Sequence, residues 1–230
     1  MFGIKTKVIK KAKSLFISLR GGKLTSDITV RYLMGEFSAD TYGHRGDIDK
    51  ADLGYGWIHY GLIRTIKPKR VLCVGSRHGY IPAILAQACK DNARGHVDFV
   101  DPGYGQNDKN HWTGVGLWKT EKGQRYFDKF GLGDWITLYV MISKEFAERY
   151  GKRYEYIYLD GDHSYKGVSL DYKLFWPRLE KYGFMVFHDI DVEGELPEGV
   201  YGVHKLWKKV GGKNAIKFPF KGSGLGILQK

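Results

Sequence analysis

The chain contains 230 residues, of which 43% are hydrophobic and 27% are charged, and its formal net charge is +12. These proportions are those of a globular protein, and the sequence has no run of about eighteen apolar residues, which excludes a transmembrane helix. The length is sufficient for one large domain that buries a central sheet beneath helices on both faces.

Residues 1–23 hold more than half of the excess positive charge, since seven lysines and arginines and no acidic residue lie there. Apolar residues recur at helical spacing within this segment and predict a short basic amphipathic helix. These residues are Val8, Ala12, Leu15, Phe16 and Leu19. Such a helix either docks on the protein or touches anionic lipid or nucleic acid.

Residues 24–50 are mixed and polar, with a loop at 43–47, and a helix is predicted from Lys50 to Ile66, where Pro68 ends it. Strands and helices then alternate. The predicted strands are 71–74, 97–100, 135–142, 154–159 and 184–187, and the predicted helices are 81–88, 125–130, 144–150, 165–179 and 203–210. A Gly- and Trp-rich insertion interrupts this alternation at about 102–123, and 216–220 with 225–228 predict a closing hairpin.

The alternation predicts an α/β fold with a doubly wound, Rossmann-like sheet that is mostly parallel and has an antiparallel closing hairpin. We predict two regions, a basic helix and polar segment at 1–49 and the α/β domain at 50–230. Ligands of such sheets bind beyond the carboxyl ends of the strands. The residues predicted at those ends are Gly75, Asp101, Ser143, Asp160 and Asp189. Three carboxylates are therefore expected along one edge of the sheet.

The segment VLCVGSRHGY at 71–80 combines a strand, a glycine turn and a helix start. Gly75 permits a tight turn, and Gly79 lets the helix approach the strand. Asp101 ends the next strand, where an acid can accept hydrogen bonds from both hydroxyls of a ribose. Arg77 stands where dinucleotide enzymes prefer glycine, which disfavours a pyrophosphate ligand. A plain strand–turn–helix unit without a ligand remains the alternative.

Two further segments carry a specific resemblance: YIYLDGDHSYKGVSLD at 156–171 and FWPRLEKYGFMVFHDI at 175–190. With the closing GLGILQ at 224–229, they make the chain similar to class I S-adenosylmethionine-dependent methyltransferases, specifically methyltransferase family 24. This family is related to the metal-dependent catechol and macrolide-sugar O-methyltransferases. The resemblance covers the region from about Val71 to Gln229.

The resemblance implies that S-adenosylmethionine binds at the glycine turn and the neighbouring strand ends. The implied cofactor-binding residues are Gly75, Ser76, Gly79, Tyr80, Asp101, Ser143 and Asp160, with Asp101 at the ribose and Ser143 near the adenine. The chain departs from the pattern of many class I members at Cys73, where they carry an acid two residues before the first glycine. The backbone of the glycine turn must then make more of the contacts with the amino-acid end of S-adenosylmethionine.

Methyl transfer to oxygen requires an aligned hydroxyl and help in removing its proton, which a divalent cation or a base provides. Asp160, Asp162 and Asp189 are the predicted ligands of Mg²⁺ or another divalent cation, since such ions prefer carboxylate oxygens. His163 and His188 are the candidate bases. Alternatively, Asp162 caps the helix that begins near Ser164. His163 is then an ordered loop residue, and His188 is a hydrogen-bonded core residue. Asp191 or Glu193 would complete the metal site if a ligand is lacking.

We therefore predict an O-methyltransferase that acts on a hydroxyl of a small molecule or glycan. Aromatic residues of the insertion either bind that acceptor or pack as a lid: Tyr104, His111, Trp112 and Trp118. An NAD-dependent oxidoreductase is a second possibility, and a nucleic-acid-binding module using the basic segment is a third, although the predicted cleft is acidic. Cys73 and Cys89 favour free thiols and a cytoplasmic location, and the oligomeric state stays open.

Overall fold

The computed structural model describes residues 27–37, 43–103, 116–196, 199–220 and 222–230. The predicted basic helix within 1–23, with its lipid contact, therefore lies outside the described residues. The same is true of three aromatic residues of the insertion, Tyr104, His111 and Trp112. Within the described part, no helix has the length and apolar character needed to cross a bilayer.

The helices and strands follow the predicted order. The helices are α1 (Asp27–Phe37), α2 (Tyr55–Ile66), α3 (Tyr80–Asp91), α4 (Glu121–Gln124), α5 (Ser143–Arg149), α6 (Tyr165–Phe175) and α7 (Val203–Val210). The strands are β1 (Arg70–Val74), β2 (His96–Val100), β3 (Ile136–Tyr139), β4 (Tyr154–Leu159), β5 (Leu179–His188), β6 (Gly194–Leu196), β7 (Gly199–Tyr201), β8 (Ala215–Phe218) and β9 (Leu225–Gln229). Short 3₁₀ helices occupy Leu117–Lys119, Tyr126–Phe130, Gly133–Trp135 and Trp176–Arg178.

Seven strands form one sheet in the order β3-β2-β1-β4-β5-β9-β8, and β6 pairs with β7 in a separate ribbon. Strands β1 to β5 are parallel to one another, whereas β9 runs antiparallel to both β5 and β8. The predicted doubly wound sheet with an antiparallel closing hairpin is thus confirmed. The chain winds outward in one direction from β1 and in the other from β4, which opens a crevice beyond the ends of these two strands.

Hydrophobic cores lie on both faces of the sheet. Within β1, Val71 and Cys73 face the core beneath α1, α2 and α3, whereas Leu72 and Val74 face the core beneath α5, α6 and α7. Such strands, buried on both faces, account for the continuous apolar run in the sequence.

Helix α1 is an element that the reading of residues 24–50 as mixed and polar did not predict. Val30, Leu33 and Met34 recur at helical spacing and are at most 2% exposed in the same core as α3. Six of its eleven residues are hydrophobic, but the helix is short, and tertiary packing supplies most of the stability of such a helix.

Several other boundaries differ from the predictions: β3 ends at Tyr139 and not at 142, α6 ends at Phe175 and not at 179, and the predicted helix at 125–130 is a 3₁₀ helix. Helix α2 begins at Tyr55 and not at Lys50, and its most buried positions include His59 and Ile63. Strand β5 spans ten residues instead of four, with a register shift against β4 where Tyr182 adopts a left-handed conformation. In the insertion, Trp118 is 3% exposed and packs face to face against Phe127, so this ring belongs to the core.

Candidate active site

The loops that follow β1 and β4 meet at the crevice between these strands. Gly75, the first residue after β1, has a φ of 70°, and a Cβ at this position would lie 2.3 Å from the backbone oxygen of Asp160. Only glycine fits such a left-handed, crowded position. The predicted cofactor turn and the first predicted metal ligand are therefore in direct contact.

Asp101 lies beside this turn, at the end of β2. The Gly103 N–H donates to Asp101 Oδ1 over 2.8 Å, and Asp101 is only 8% exposed. Burial raises the pKa of Asp101 to about 6, an effect that the Gly103 N–H opposes and the Asp160 charge reinforces. The structure thus places the predicted ribose-binding acid beside Ser76, whose backbone N–H also bonds to this carboxylate.

The rest of the glycine turn is held by a tryptophan from the insertion. The Trp118 Nε1 donates to the backbone oxygen of Arg77 over 3.2 Å. A Cβ on Gly79, which has a φ of 82°, would lie 3.0 Å from the Trp118 ring. Tyr80 begins α3, and its hydroxyl donates to the backbone oxygen of Leu53 over 2.9 Å. Trp118 therefore packs against the glycine turn and donates a hydrogen bond to its backbone.

Ser143 is the first residue of α5 and lies four residues after the end of β3. Its hydroxyl bonds to the carboxylate of Asp171 on α6, which is 4% exposed. Burial raises the pKa of Asp171 to about 6, although the Ser143 hydroxyl lowers it. Asp171 was not among the predicted site residues, because its place in the middle of an amphipathic helix gives no sign of the contact.

Two carboxylates and a histidine converge beyond the ends of β4 and β5. The Nε2 of His163 lies 3.2 Å from Asp160 Oδ1 and 3.6 Å from Asp189 Oδ2. One potential ligand atom from each of these three residues falls within 4.8 Å of the other two. Oxygen and imidazole donors in this arrangement can hold a divalent cation.

His188 lies behind this group and is 4% exposed. Its Nδ1 is 2.9 Å from Asp189 Oδ1 and 3.4 Å from Asp160 Oδ1. Burial lowers the pKa of His188, but Asp189 and Asp160 outweigh burial and raise it to about 9. In the same cluster, burial opposes ionisation of Asp160, yet His188 and His163 lower the pKa of this carboxyl.

Asp189 has a φ of 58°, in the left-handed region that costs free energy for residues with a side chain. The Tyr158 hydroxyl donates to Asp160 Oδ2 over 3.0 Å and fixes the other carboxylate. Strained backbone beside buried charges is typical of functional sites. Both features reduce stability, so selection for stability alone would not keep them.

The structure does not bring Asp162 into this group. Its side chain is exposed, and its Oδ1 accepts from the Ser164 N–H over 2.8 Å. Ser164 in turn caps α6, since its hydroxyl accepts from the Gly167 N–H. Asp191 and Glu193, the predicted substitutes, pair instead with Lys217 and Lys208 at the surface.

Three buried polar residues near the cluster were not predicted. His44 lies against His188 with ring centroids 4.9 Å apart, and Tyr55 lies 6.2 Å from the same ring. His59 bonds through Nδ1 to the Tyr156 hydroxyl over 2.6 Å. All three come from the segment before β1, and their distance in sequence from the DGDHSY and HDI motifs concealed the contact.

Comparisons with known proteins identify similar sequences and similar folds. A family model for methyltransferase family 24, described as a methyltransferase domain, matches residues 72–190. A curated relative, the uncharacterized protein y4gI of Sinorhizobium fredii (strain NBRC 101917 / NGR234), is 21% identical over 183 residues, which are 75% of this chain and 19% of the relative. The chain thus spans about one fifth of the length of that relative.

Solved structures share the fold at low sequence identity. The O-methyltransferase from Bacillus cereus in complex with SAH is 11% identical, with a TM-score of 0.59 and coverage of 96% of this chain and 100% of that chain. The O-methyltransferase TomG from Streptomyces achromogenes, in complex with SAM, is 13% identical, with a TM-score of 0.57 and 96% coverage of both chains. SAH-bound PaMTH1 from Podospora anserina is 16% identical, with a TM-score of 0.57 and coverage of 86% and 87%.

Proposed function

Since this chain belongs to methyltransferase family 24, we propose that it transfers a methyl group from S-adenosylmethionine to a hydroxyl of a small molecule or sugar. The observation that carries this proposal is the contact between the glycine turn at Gly75 and the acid–histidine cluster at Asp160. The structures from Bacillus cereus and Streptomyces achromogenes contain SAH and SAM, which supports this donor. That both are O-methyltransferases supports a hydroxyl acceptor.

The residues present suit this donor. When bound, S-adenosylmethionine supplies a methyl group on a positively charged sulfur. We assign its binding to Gly75, Ser76, Gly79, Tyr80, Asp101, Ser143 and Asp160. Asp101 would accept from the ribose hydroxyls, and Asp160, kept ionised by the two histidines, would favour a cation beside the turn.

The cluster also suits a divalent cation. Asp160, Asp189 and His163 would hold it, and the geometry favours His163 over the exposed Asp162 as the third ligand. Such an ion lowers the pKa of a bound hydroxyl and so favours the alkoxide form of the acceptor. Oxygen-rich sites of this kind suit Mg²⁺ or Mn²⁺.

His188 and His163 are the proposed bases, and the geometry favours His188. Asp189 orients its ring through Nδ1, and because the two carboxylates raise its pKa to about 9, His188 must first lose a proton before its Nε2 can accept one from the acceptor. His163, in contrast, already directs its Nε2 at both carboxylates. An imidazole that a carboxylate orients through one nitrogen and that reacts through the other is a common arrangement for a general base.

Calorimetric titration tests the donor. We expect S-adenosylhomocysteine to bind, and NAD and a DNA oligonucleotide to release no heat. Binding of NAD alone would favour an oxidoreductase, and binding of the oligonucleotide alone would favour a nucleic-acid-binding module. Either result would refute the proposed methyltransferase activity.

Chelation tests the metal. With catechol and methyl α-D-glucopyranoside as acceptor probes, turnover is read as release of S-adenosylhomocysteine. We expect EDTA to lower turnover about 100-fold, since such an ion contributes several kcal/mol to the transition state, and excess Mg²⁺ or Mn²⁺ to restore it. Full turnover in EDTA would remove the metal from the proposal and leave the donor untouched.

The proposal includes a cytoplasmic location and a small-molecule or glycan partner. Both cysteines, Cys73 and Cys89, are free and buried, which supports a reducing compartment. For residues 1–23, contact with an anionic membrane surface stays a prediction that follows from their charge.

A further inference from the structure

The segment at 43–55, here called the 43–55 loop, is folded back on itself ahead of α2. The Tyr55 N–H donates to the backbone oxygen of His44 over 2.8 Å, which closes the loop at its base. Asp47 and Asp52 exchange two backbone hydrogen bonds in its middle, of 2.8 and 2.9 Å. Gly54 has a φ of 56°, and a Cβ there would lie 2.1 Å from the His44 oxygen. The loop therefore has a defined conformation in which the backbones of His44 and Tyr55 are bonded to each other.

Both side chains point into the protein at the candidate active site. His44 and Tyr55 are each 5% exposed. The His44 ring lies between Tyr80, with centroids 5.1 Å apart, and His188, at 4.9 Å. The 43–55 loop also contacts the segment between β8 and β9, since the Arg45 guanidinium carbon lies 3.8 Å from the centroid of the Phe220 ring.

Polar atoms of these two residues have no hydrogen-bond partner among the described residues. They are Nδ1 of His44 and the hydroxyl of Tyr55, and the Nε2 of His188 likewise lacks a partner at hydrogen-bond geometry. The hydroxyls of Tyr80, Tyr156 and Tyr158, in the same region, are all bonded. A buried polar group without a partner costs about 1–3 kcal/mol, so native proteins rarely keep one unless a ligand or water completes it.

The position of the unpaired atoms indicates which ligand would form hydrogen bonds with them. Gly75, Ser76 and Asp101, assigned to the donor, lie at the ends of β1 and β2. His44 and Tyr55 lie beyond Asp160, against the proposed base at the end of β5. In a direct transfer the acceptor must stand between the donor and the base. We propose that His44 and Tyr55 bind the acceptor by hydrogen bonds to its hydroxyl groups, an inference that rests on the proposed function.

The chemistry of the pair fits a neutral, hydroxylated acceptor. Burial and the nearby His188 lower the pKa of His44 to about 3, so its imidazole is uncharged at neutral pH. A neutral imidazole and a phenol both donate and accept hydrogen bonds, as a hydroxyl does, and neither offers the positive charge that a phosphate or carboxylate would need. Both residues precede residue 72, so they lie outside the part of the chain that matches the family.

Tyr55→Phe tests the proposal, with Tyr60→Phe on the same helix as the matched control. The Tyr60 hydroxyl donates to Asp91 Oδ2 over 2.8 Å, away from the site. Because the Tyr55 hydroxyl is unpaired, we expect its removal to leave the thermal unfolding midpoint unchanged or raised, whereas Tyr60→Phe should lower it. A midpoint for Tyr55→Phe that falls as far as that of the control would overturn the proposal.

The second readout is catalytic. In Tyr55→Phe we expect the KM for catechol or methyl α-D-glucopyranoside to rise about tenfold, the equivalent of one lost hydrogen bond, with kcat and the Kd for S-adenosylhomocysteine unchanged. An unchanged KM, or a weakened Kd for S-adenosylhomocysteine, would overturn the acceptor role. If the wild-type protein binds S-adenosylhomocysteine but methylates neither probe, the acceptor class stated here is wrong. Failure of the wild type to bind S-adenosylhomocysteine would instead refute the proposed function itself.

Discussion

Two buried groups of charged and phenolic side chains lie in the same sheet, and they are built in opposite ways. At Asp98 in the middle of β2, a single carboxylate accepts from Lys152 Nζ over 2.9 and 3.0 Å and from the Tyr154 hydroxyl over 2.8 Å. Beyond β4 and β5, two carboxylates, Asp160 and Asp189, share two histidines over 2.9 to 3.6 Å. The first group pairs one negative charge with one positive charge, whereas the second brings two carboxylates together with two histidines.

This difference distinguishes a group of side chains that stabilises the fold from a group that serves the proposed activity. Around Asp98 every strong acceptor has a donor, as a network that only stabilises the fold requires. Around Asp160 the backbone is strained at Asp189, and unpaired polar atoms lie nearby on His44 and Tyr55. Features that reduce stability persist where activity needs them. We therefore expect substitutions around Asp160 to act mainly on turnover and substitutions around Asp98 to act on stability alone.

The largest expected effect is on turnover in Asp160→Asn. Loss of this charge removes a proposed metal ligand and a neighbour of the donor, so turnover should fall about 1000-fold. The free energy of unfolding should fall by about 1 kcal/mol, because His188 and His163 hold this carboxyl ionised in the folded state while burial opposes its charge. Release of S-adenosylhomocysteine and chemical denaturation measure the two quantities. Normal turnover would mean that the cluster is structural after all.

Lys152→Met should instead act on stability alone. It leaves Asp98, whose side chain is 4% exposed, without its cation. Because Lys152 is itself 35% exposed and partly screened, we expect the free energy of unfolding to fall by about 2 kcal/mol. Turnover at a temperature where the variant is folded should not change. Lys144→Met, which removes a surface pair with Glu148 at 3.9 Å, is the control and should cost far less.

The smallest expected effect is a pH dependence of donor binding at Asp101. Its pKa is raised to about 6, so the carboxylate that would accept from the ribose is converted to the neutral acid as the pH falls through that value. Affinity for S-adenosylhomocysteine should therefore fall about tenfold between pH 7.5 and about pH 5. Calorimetry on Asp101→Asn, which cannot titrate, should show weak binding without this dependence. The same pH dependence in the variant would assign the titration to another group.

The order of the strands and helices could be predicted from the sequence to a large extent. Apolar runs such as Val71–Val74 are typical of strands buried on both faces, and β4 and α7 have the predicted bounds. Family membership followed from the DGDHSY and HDI motifs and is confirmed. Helix α1 was missed, because its three buried residues form a short helical pattern whose stability comes mainly from packing in the same core as α3.

The structure brings some of the predicted site residues together and leaves others apart. The expectation that acids from neighbouring strands meet at one edge agrees with the contact of Asp160 and Asp189 through the two histidines. Asp162, two residues from Asp160, points to the surface instead, because its carboxylate accepts from the Ser164 N–H at the start of α6. Spacing in sequence cannot distinguish these two orientations, since both follow from the same loop.

The sequence by itself determined which strand ends carry the polar residues, because the period of the apolar pattern specifies the elements and parallel strands end at one edge. Only the tertiary structure decided which side chains face one another across that edge. His44, Tyr55 and Asp171 reach the site from a loop and two helices, through contacts with His188 and Ser143 that span many residues of chain. Such contacts depend on how helices pack on the sheet, and that packing depends on side-chain shape in three dimensions.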